Sequence, residues 1–198
     1  MKQELEIEYK NLLTKSDYQK IFDSEFSLMP HKGHQKIIQK NYYFDTKENL
    51  LKKQGAALRI RTTFNDNELT FKVPSDDFLM ETNLKLKSEQ VVDILKKSTL
   101  RINELTKEPI KINLKGINRN SLYIHFNSFK NIRFEKQVET NLLVLDQTTF
   151  QNGMIDYELE VEGQHPRLAK DYFHSILRKY SITHRPSSPK IARAEENK

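Results

Sequence analysis

The chain has no cysteine, and none of its apolar runs is long. The missing cysteine excludes disulfides, zinc–thiolate sites and thiol nucleophiles, and it fits a reducing compartment. A segment that crosses a bilayer needs roughly 18 consecutive apolar residues, and none is present. The acidic start MKQELEIEYK is also unlike a secretory signal peptide. We therefore expect a soluble, cytoplasmic protein with no membrane partner.

Apolar residues are scarce as well, since 36% of the residues are hydrophobic and 30% are charged. A fold with a polar interior as well as a polar exterior would accommodate this composition. No repeat, low-complexity tract or linker rich in Gly, Pro or Ser divides the chain, which predicts a single domain over residues 1–198. The net charge of +6 is compatible with a solvated basic surface, with nucleic acid or with a small polyanion.

Alternation of polar and apolar residues with a period of two dominates the sequence and predicts β-strands. The strong candidates are residues 4–10, 57–62, 68–73, 132–138 and 154–162, and the weaker ones are 36–45, 79–86 and 141–146. Helices are predicted at 16–25, between 46 and 55, at 88–97, at 166–180, and at the C-terminus around Lys190 and Arg193. This pattern predicts an α+β, predominantly β fold, an antiparallel β-barrel with flanking α-helices.

Several residues mark the ends of these elements. Caps or first-turn positions are predicted at Ser16 with Gln19, Thr46, Ser88 and Pro166. Turns are predicted at Asn65–Asp66–Asn67 and at Gly153.

Charged residues occupy alternate positions, so they share one face of each predicted strand. A half-buried sheet with an ordinary solvent face explains each strand taken alone. Glutamate is nevertheless a poor strand former, and the signs are sorted between strands. Carboxylates suit Mg²⁺ or Mn²⁺, and Arg and Lys suit phosphate oxygens. The charges of this face are, in chain order, Glu4, Glu6, Glu8, Lys10, Arg59, Arg61, Lys72, Asp156, Glu158, Glu160 and Glu162.

The apolar positions between these charges are expected to pack outward onto the helices, at Leu5, Ile7, Leu58, Ile60, Phe71, Leu159 and Val161. The six histidines show no metal-ligand spacing, and neither a Walker loop nor GxGxxG is present.

Motifs in order along nearly the whole chain resemble those of the CYTH family, the triphosphate tunnel metalloenzymes. Glu6-Ile-Glu8-Tyr-Lys10 is similar to its ExExK signature, and Leu58-Arg59-Ile60-Arg61 and Leu69-Thr70-Phe71-Lys72 to its LRxR and LTxK strands. Further similarities are Tyr42–Thr46 (YFDT), Glu81, Arg133, Leu145-Asp146, Asp156–Glu162 (DYELEVE) and Ser188–Arg193, where Pro189 interrupts the family's SKxxR.

The resemblance implies an eight-stranded antiparallel tunnel that binds a small triphosphate with a divalent cation, Mg²⁺ or Mn²⁺. It implies metal ligands at Glu6, Glu8, Glu158 and Glu160, and catalytic roles for Glu6, Glu8 and Lys10. It implies phosphate binding by Lys10, Arg59, Arg61, Lys72, Arg133, Lys190 and Arg193, with Glu81, Glu135, Asp156 and Glu162 as second-rank site candidates.

The leading hypothesis is therefore metal-dependent hydrolysis of inorganic tripolyphosphate or a similar small triphosphate. Thiamine triphosphatase and class IV adenylate cyclase are alternatives within the enzyme class. A non-catalytic sensor of polyphosphate or of a nucleotide is the alternative from another class. A nucleic-acid-binding barrel is disfavoured, because carboxylate strands would repel the backbone. No nucleic-acid partner is expected, and the protein is expected to be a monomer or a homodimer.

Overall fold

A computed structural model of the chain describes residues 2–27, 33–108 and 114–197. Within these ranges the chain forms ten strands and six helices. The strands are β1 (Lys2–Glu6), β2 (Glu8–Leu13), β3 (His34–Asp45), β4 (Ala57–Thr62), β5 (Asn67–Ser75), β6 (Phe78–Lys85), β7 (Thr99–Leu100), β8 (Tyr123–Val138), β9 (Asn141–Thr149) and β10 (Ile155–Gly163). The helices are α1 (Lys15–Glu25), α2 (Leu50–Lys53), α3 (Ser88–Lys97), α4 (Ile102–Leu105), α5 (Pro166–Lys179) and α6 (Lys190–Glu196).

The chain divides into two compact units. The first unit comprises Met1–Leu5 and Lys40–Ser128, and the second comprises Glu6–Gln39 and Phe129–Lys198. In the described part of the chain, no helix combines the length and the apolar character that crossing a membrane requires.

In the first unit the strands follow the order β1-β6-β5-β4-β3, and β7 pairs with β8. The register pairs Leu58 with Phe71 and Ile60 with Leu69, so these four apolar side chains share a face. They are buried in a core that also contains residues of α3. The opposite face carries the polar residues of the same strands, as the alternation predicts.

In the second unit the order is β8-β9-β10-β2, again with antiparallel neighbours. Leu159 and Val161 lie opposite Leu145 and Leu143, and all four are fully buried. Helices α1 and α5 cover this face, and α5 contributes four buried residues, Ala169, Phe173, Ile176 and Leu177. The acidic residues of β10 therefore lie on the face opposite to α1 and α5.

The predicted fold class, predominantly β with antiparallel strands and flanking helices, is confirmed. The described residues form ten strands, whereas the resemblance implied eight, and the difference has two causes. The predicted strand 4–10 is interrupted at Ile7, and β7 has only two residues. The turn at Gly153 is confirmed by its φ of 84°, which suits glycine. Of the predicted packing residues, Leu5 is 43% exposed, so that prediction is wrong for Leu5 and confirmed for the other six.

Two predicted helix caps, Ser16 and Ser88, are also wrong, and the third, Thr46, is only part of a cap, since it accepts a hydrogen bond from the Leu50 amide. The capping box of α1 is formed by Thr14 and Asp17, two residues before the predicted pair. Helix α2 begins at Leu50, and α3 begins at Ser88 itself, after Lys87. Pro166 does stand at the first position of α5, where its missing N–H leaves no hydrogen bond unmade.

Candidate active site

The acidic row of β10 is the starting point of the candidate site. Asp156, Glu158, Glu160 and Glu162 alternate along the strand, and the hydrogen-bonded register determines which residues lie opposite them. Glu158 is opposite Asp146 of β9, Glu160 is opposite Lys10 of β2, and Glu162 is opposite Glu8. Glu158 and Glu160 are only 0% and 2% exposed. Carboxylates at such burial need partners of opposite charge.

Carboxylates from three strands converge in two clusters that share Glu160. One cluster consists of Glu8, Glu160 and Glu162, and the other of Asp146, Glu158 and Glu160. In each, one carboxylate oxygen per residue lies within 4.8 Å of the others. We call them the outer and the inner cluster, because Glu8 and Glu162 are half-buried whereas Asp146 and Glu158 are fully buried.

Arg133 of β8 is a cationic partner common to both clusters. Its guanidinium donates to Asp146 at 2.8 Å and 3.0 Å, to Glu162 at 3.1 Å, and to Glu160. Burial alone would lower the pKa of Arg133, but the charges of Asp146, Glu160 and Glu162 outweigh it and raise the pKa well above its usual range. Arg133 is therefore a permanent cation among these acids.

Helix α6 places two more cations on the inner cluster. Nζ of Lys190 lies 3.0 Å from Asp146 and also contacts Glu158 and Glu160. Burial alone would lower the pKa of Lys190, but the nearby carboxylates outweigh it and raise the pKa well above its usual range. Arg193 donates to Asp156 at 2.6 Å and to Glu158 at 3.2 Å.

The pKa values of two of these carboxylates, Glu160 and Glu162, shift in opposite directions. Burial raises the pKa of Glu160, but Lys190, Arg133 and Lys10 outweigh it and hold the pKa well below the usual range. For Glu162 burial prevails over the attraction of Arg133 and raises the pKa to about 7. The charges of Glu160 and Glu8 add to that increase. Burial is thus the main reason why the ionised form of Glu162 is disfavoured in the outer cluster.

The donor set of the outer cluster fits a hard divalent cation. Carboxylate oxygens are the ligands that Mg²⁺ and Mn²⁺ prefer, and three of them lie close enough to share one ion. A cation bound there would also favour the ionised form of Glu162, which burial disfavours.

The first unit carries the remaining predicted phosphate ligands on one sheet face. The register pairs Arg59 with Thr70 and Lys72 with Glu81, so Arg59 and Lys72 are diagonal neighbours. Arg59 donates to Thr70 at 3.3 Å, and Lys72 forms an ion pair with Glu81. Arg61 donates through Nε to Asn41 at 3.2 Å. These polar contacts orient two guanidinium groups and an ammonium on the same face.

The structure brings together most of the predicted site residues of the second unit: Glu8, Lys10, Arg133, Glu158, Glu160, Lys190 and Arg193. Among the described residues, Glu6 belongs to neither cluster. The second-rank candidates Glu162 and Asp156 contact Arg133 and Arg193, and Glu135 lies 3.8 Å from Arg133.

Asp146 and Ser187 had no role assigned to them from the sequence, although both contact the site. In β9, which reads NLLVLDQTT, Asp146 follows an apolar run, so polar–apolar alternation does not single it out. The similarity of Leu145-Asp146 to a family motif was the available signal. Ser187, which donates to Glu158, stands in a loop and has no comparable signal.

Comparison with known proteins gives a consistent result. The family model for the CYTH domain matches residues 4–194. A Bacillus subtilis (strain 168) protein described as "Putative triphosphatase YjbK" is 35% identical over 199 residues, which cover 100% of this chain and 98% of the relative. A Bacillus halodurans crystal structure described as "a putative adenylate cyclase" is 31% identical, with a TM-score of 0.81 and 98% of each chain covered.

A more distant structure supports the same fold. The Hippeastrum protein HpAC1, for which a dominant triphosphatase activity is described, is 23% identical with a TM-score of 0.75. The match covers 98% of this chain and 96% of HpAC1. At that identity the likeness shows the fold alone.

Proposed function

This chain belongs to the CYTH domain family, and on that premise we propose that it hydrolyses a small triphosphate with the help of a divalent cation. Inorganic tripolyphosphate or a similar compound is the proposed substrate. The observation that carries the proposal is the pair of carboxylate clusters that share Glu160, among cations suited to phosphate. The description of the Bacillus subtilis relative, "Putative triphosphatase YjbK", supports the same reaction.

The proposed ligands of the cation are the carboxylates of the two clusters, with Mg²⁺ or Mn²⁺ as the ion. Glu8, Glu158 and Glu160 are kept from the predicted set, Asp146 and Glu162 are added, and Glu6 stays a predicted ligand. When bound, such an ion supplies Lewis-acid stabilisation of the charge that develops on the phosphoryl oxygens.

The cationic side chains have the task of binding and orienting the phosphates. Arg59 and Arg61 present planar forks that match phosphate oxygens, and Lys72 adds a point charge. Thr70 and Asn41 hold the two guanidinium groups in position before substrate arrives. Such preorganised donors stabilise a transition state without reorganising during the reaction. Lys10, 2.8 Å from Glu8, is proposed to bind phosphate beside the carboxylates.

The proposed chemical step is in-line attack of water on a terminal phosphoryl group. A carboxylate oxygen of Glu8 is the proposed acceptor of the water proton, because Glu8 lies at the half-buried edge of the outer cluster. Glu6 stays the second predicted candidate for this role. Hydrolysis of tripolyphosphate then yields orthophosphate and pyrophosphate.

A cyclase is the second candidate, since the Bacillus halodurans relative is described as "a putative adenylate cyclase". Thiamine triphosphatase and the non-catalytic sensor stay as further alternatives. The cytoplasmic location and the monomeric or homodimeric state also stay predictions.

The test is a product analysis. The protein is incubated with tripolyphosphate, thiamine triphosphate, ATP or GTP in Mg²⁺ or Mn²⁺, and the products are separated by anion-exchange chromatography. We expect orthophosphate and pyrophosphate from tripolyphosphate, with much less product in EDTA. Cyclic AMP from ATP would identify a cyclase, and binding without turnover of any compound would identify a sensor.

A further inference from the structure

The ammonium of Lys190 ends where the three acids of the inner cluster converge. It contacts Asp146, Glu158 and Glu160, and an ammonium has three N–H donors, so these carboxylates account for all of them. We propose that Lys190 is a built-in counter-ion that fills the inner cluster and leaves it when a divalent cation binds, which makes its charge available to the triphosphate. This inference rests on the proposed function, because it takes the inner cluster as a cation site.

Burial explains why a built-in counter-ion is needed. Asp146, Glu158 and Glu160 are 0%, 0% and 2% exposed, and carboxylates at that depth destabilise a fold unless cations accompany them. Arg133 contacts Asp146 and Glu160, whereas Glu158 depends on α6 for its cations. Lys190 therefore stabilises the inner cluster while no divalent cation is bound.

The same contacts make Lys190 and a divalent cation competitors. Both would use oxygens that lie within 4.8 Å of one another. Two cations at a separation of about 4 Å repel each other, and the repulsion is stronger in a poorly solvated site. A divalent ion also brings twice the charge of the ammonium to the same carboxylates. Occupation of the inner cluster by the ion therefore requires Lys190 to move.

Helix α6 permits this movement without unfolding. Lys190 is its first residue, after Pro189, and Arg193 anchors the helix through Asp156 and Glu158. The lysine side chain has four rotatable methylene groups, so its ammonium can move while the backbone stays in place. One side chain would thereby link cation binding to triphosphate binding.

Chemical labelling of the protein without any substitution tests the proposed movement of Lys190 directly. Lysine side chains are acetylated with an N-hydroxysuccinimide ester in EDTA or in saturating Mn²⁺, without triphosphate, and quantified by mass spectrometry. We expect Mn²⁺ to increase the labelling of Lys190 several-fold. Lys136, which pairs with Glu25, is the internal control whose labelling should not change. Equal or reduced labelling of Lys190 in saturating Mn²⁺ would overturn the inference.

A variant tests the competition. Lys190→Met keeps the length of the side chain and removes its charge, and Mn²⁺ binding is measured by isothermal titration calorimetry. If the two cations compete, the variant should bind Mn²⁺ about tenfold more tightly, because no ammonium occupies the inner cluster. Lys136→Met is the matched control and should bind Mn²⁺ as the unmodified protein does. Unchanged or weaker Mn²⁺ binding in Lys190→Met would contradict the competition.

These outcomes separate the inference from the proposed function. Absence of Mn²⁺ binding to the unmodified protein would contradict the proposed metal dependence itself. The protein could instead bind Mn²⁺ and turn over substrate while Lys190 stays protected from acetylation. That result would support the proposed function and reject only the role of Lys190. In that case the ion would use the outer cluster, where Glu8 and Glu162 replace Asp146 and Glu158.

Discussion

Substitution of Glu160 should affect the site more than substitution of any other acid on its strand. Glu160 belongs to both carboxylate clusters and contacts both Arg133 and Lys190. Glu160→Gln preserves the shape of the side chain and gives a poorer ligand for a hard cation. Loss of metal stabilisation worth several kcal/mol would reduce turnover by about 100-fold or more. The measurement is phosphate release from tripolyphosphate across a Mn²⁺ titration.

The Glu160→Gln variant should still fold. Arg133 keeps its ion pair with Asp146, and Lys190 keeps its ion pairs with Asp146 and Glu158. Glu139→Gln, at an exposed turn of the same unit, is the matched control and should retain full activity. Normal turnover by Glu160→Gln at low Mn²⁺ concentration would show that neither cluster binds the catalytic ion.

Arg59 tests the proposed phosphate role of the first unit. Arg59→Ala removes a buried guanidinium that Thr70 orients, so we expect the Kd for tripolyphosphate to rise by about tenfold or more. Arg59→Lys should be intermediate, because it keeps the charge but loses the planar fork. Calorimetry in the presence of Mn²⁺ measures both affinities.

The control for Arg59 is Lys85→Ala, which removes a largely exposed cation of the same unit that pairs with Asp66. Its affinity for tripolyphosphate should not change. If the two substitutions weakened binding equally, the effect would be one of net charge, and the assignment of Arg59 to the site would fail.

Residue types at the site were predictable from the sequence, whereas their partners were not. Alternation alone placed Glu158, Glu160 and Glu162 on one face. The register between strands then decides that Asp146 lies opposite both Arg133 and Glu158. A shift of one residue would put Asp146 on the other face, and the sequence of one strand does not determine that shift.

At the scale of elements, the first predicted strand shows a second limit of sequence patterns. Alternation continues without interruption from Glu4 to Lys10, which predicted one strand. In the structure, β1 lies beside β6 in the strand order of the first unit, whereas β2 pairs with β10 in the second unit. The choice of pairing partner is a long-range interaction, so the local pattern at Ile7 contains no signal for the break.

Helix α2 illustrates how a local signal identifies only part of a cap. Thr46 was the predicted cap, and it does accept a hydrogen bond from the Leu50 amide at 3.1 Å. The stronger cap is Asp45, which is 4% exposed and accepts from the amides of Thr46, Leu51 and Lys52 at 2.7, 2.9 and 3.0 Å. Its carboxylate thus satisfies amides that a helix start leaves without partners.

Removal of that carboxylate should destabilise the protein. Asp45→Ala leaves three amides without their acceptor, and loss of a capping side chain costs about 0.5–2 kcal/mol. We expect a value near the upper end, about 2 kcal/mol, because the site is buried. Urea denaturation measures the change, and Thr46→Ala should cost less than Asp45→Ala. The reverse order would show that Thr46 is the principal cap.

At the scale of the whole molecule, each compact unit is assembled from two separate stretches of the chain. A composition change or a flexible linker marks a boundary only where one unit ends and the next begins in sequence. Here β3 and β8 each contribute residues to both units, so no such boundary exists to be read. This explains why the sequence predicted a single domain over residues 1–198, and that prediction stays untested.

We expect Glu25 to contribute to stability against acid, because its contacts connect distant parts of the chain. Glu25 ends α1 and bonds with Lys136 of β8 at 2.7 Å, with Lys179 of α5 at 2.6 Å, and with Tyr180. Burial alone would raise the pKa of Glu25, but these hydrogen bonds outweigh it and lower the pKa to about 2. The folded state therefore favours the ionised carboxylate, and its contribution to stability is present at pH values above about 4.5.

That contribution should disappear as the pH falls from about 4.5 to about 2, because the carboxylate of the folded protein is protonated over that interval. The shift from 4.5 to about 2 corresponds to about 3 kcal/mol. We expect about half of it, since Lys179 is 56% exposed and water screens its charge. Glu25→Gln should thus be about 1.5 kcal/mol less stable than the unmodified protein at pH 7 and nearly equal to it at pH 2. Urea unfolding at pH 7, 4 and 2 measures the difference, with Glu139→Gln as the control. A difference that stays constant over this range would show that Glu25 contributes through packing rather than through its charge.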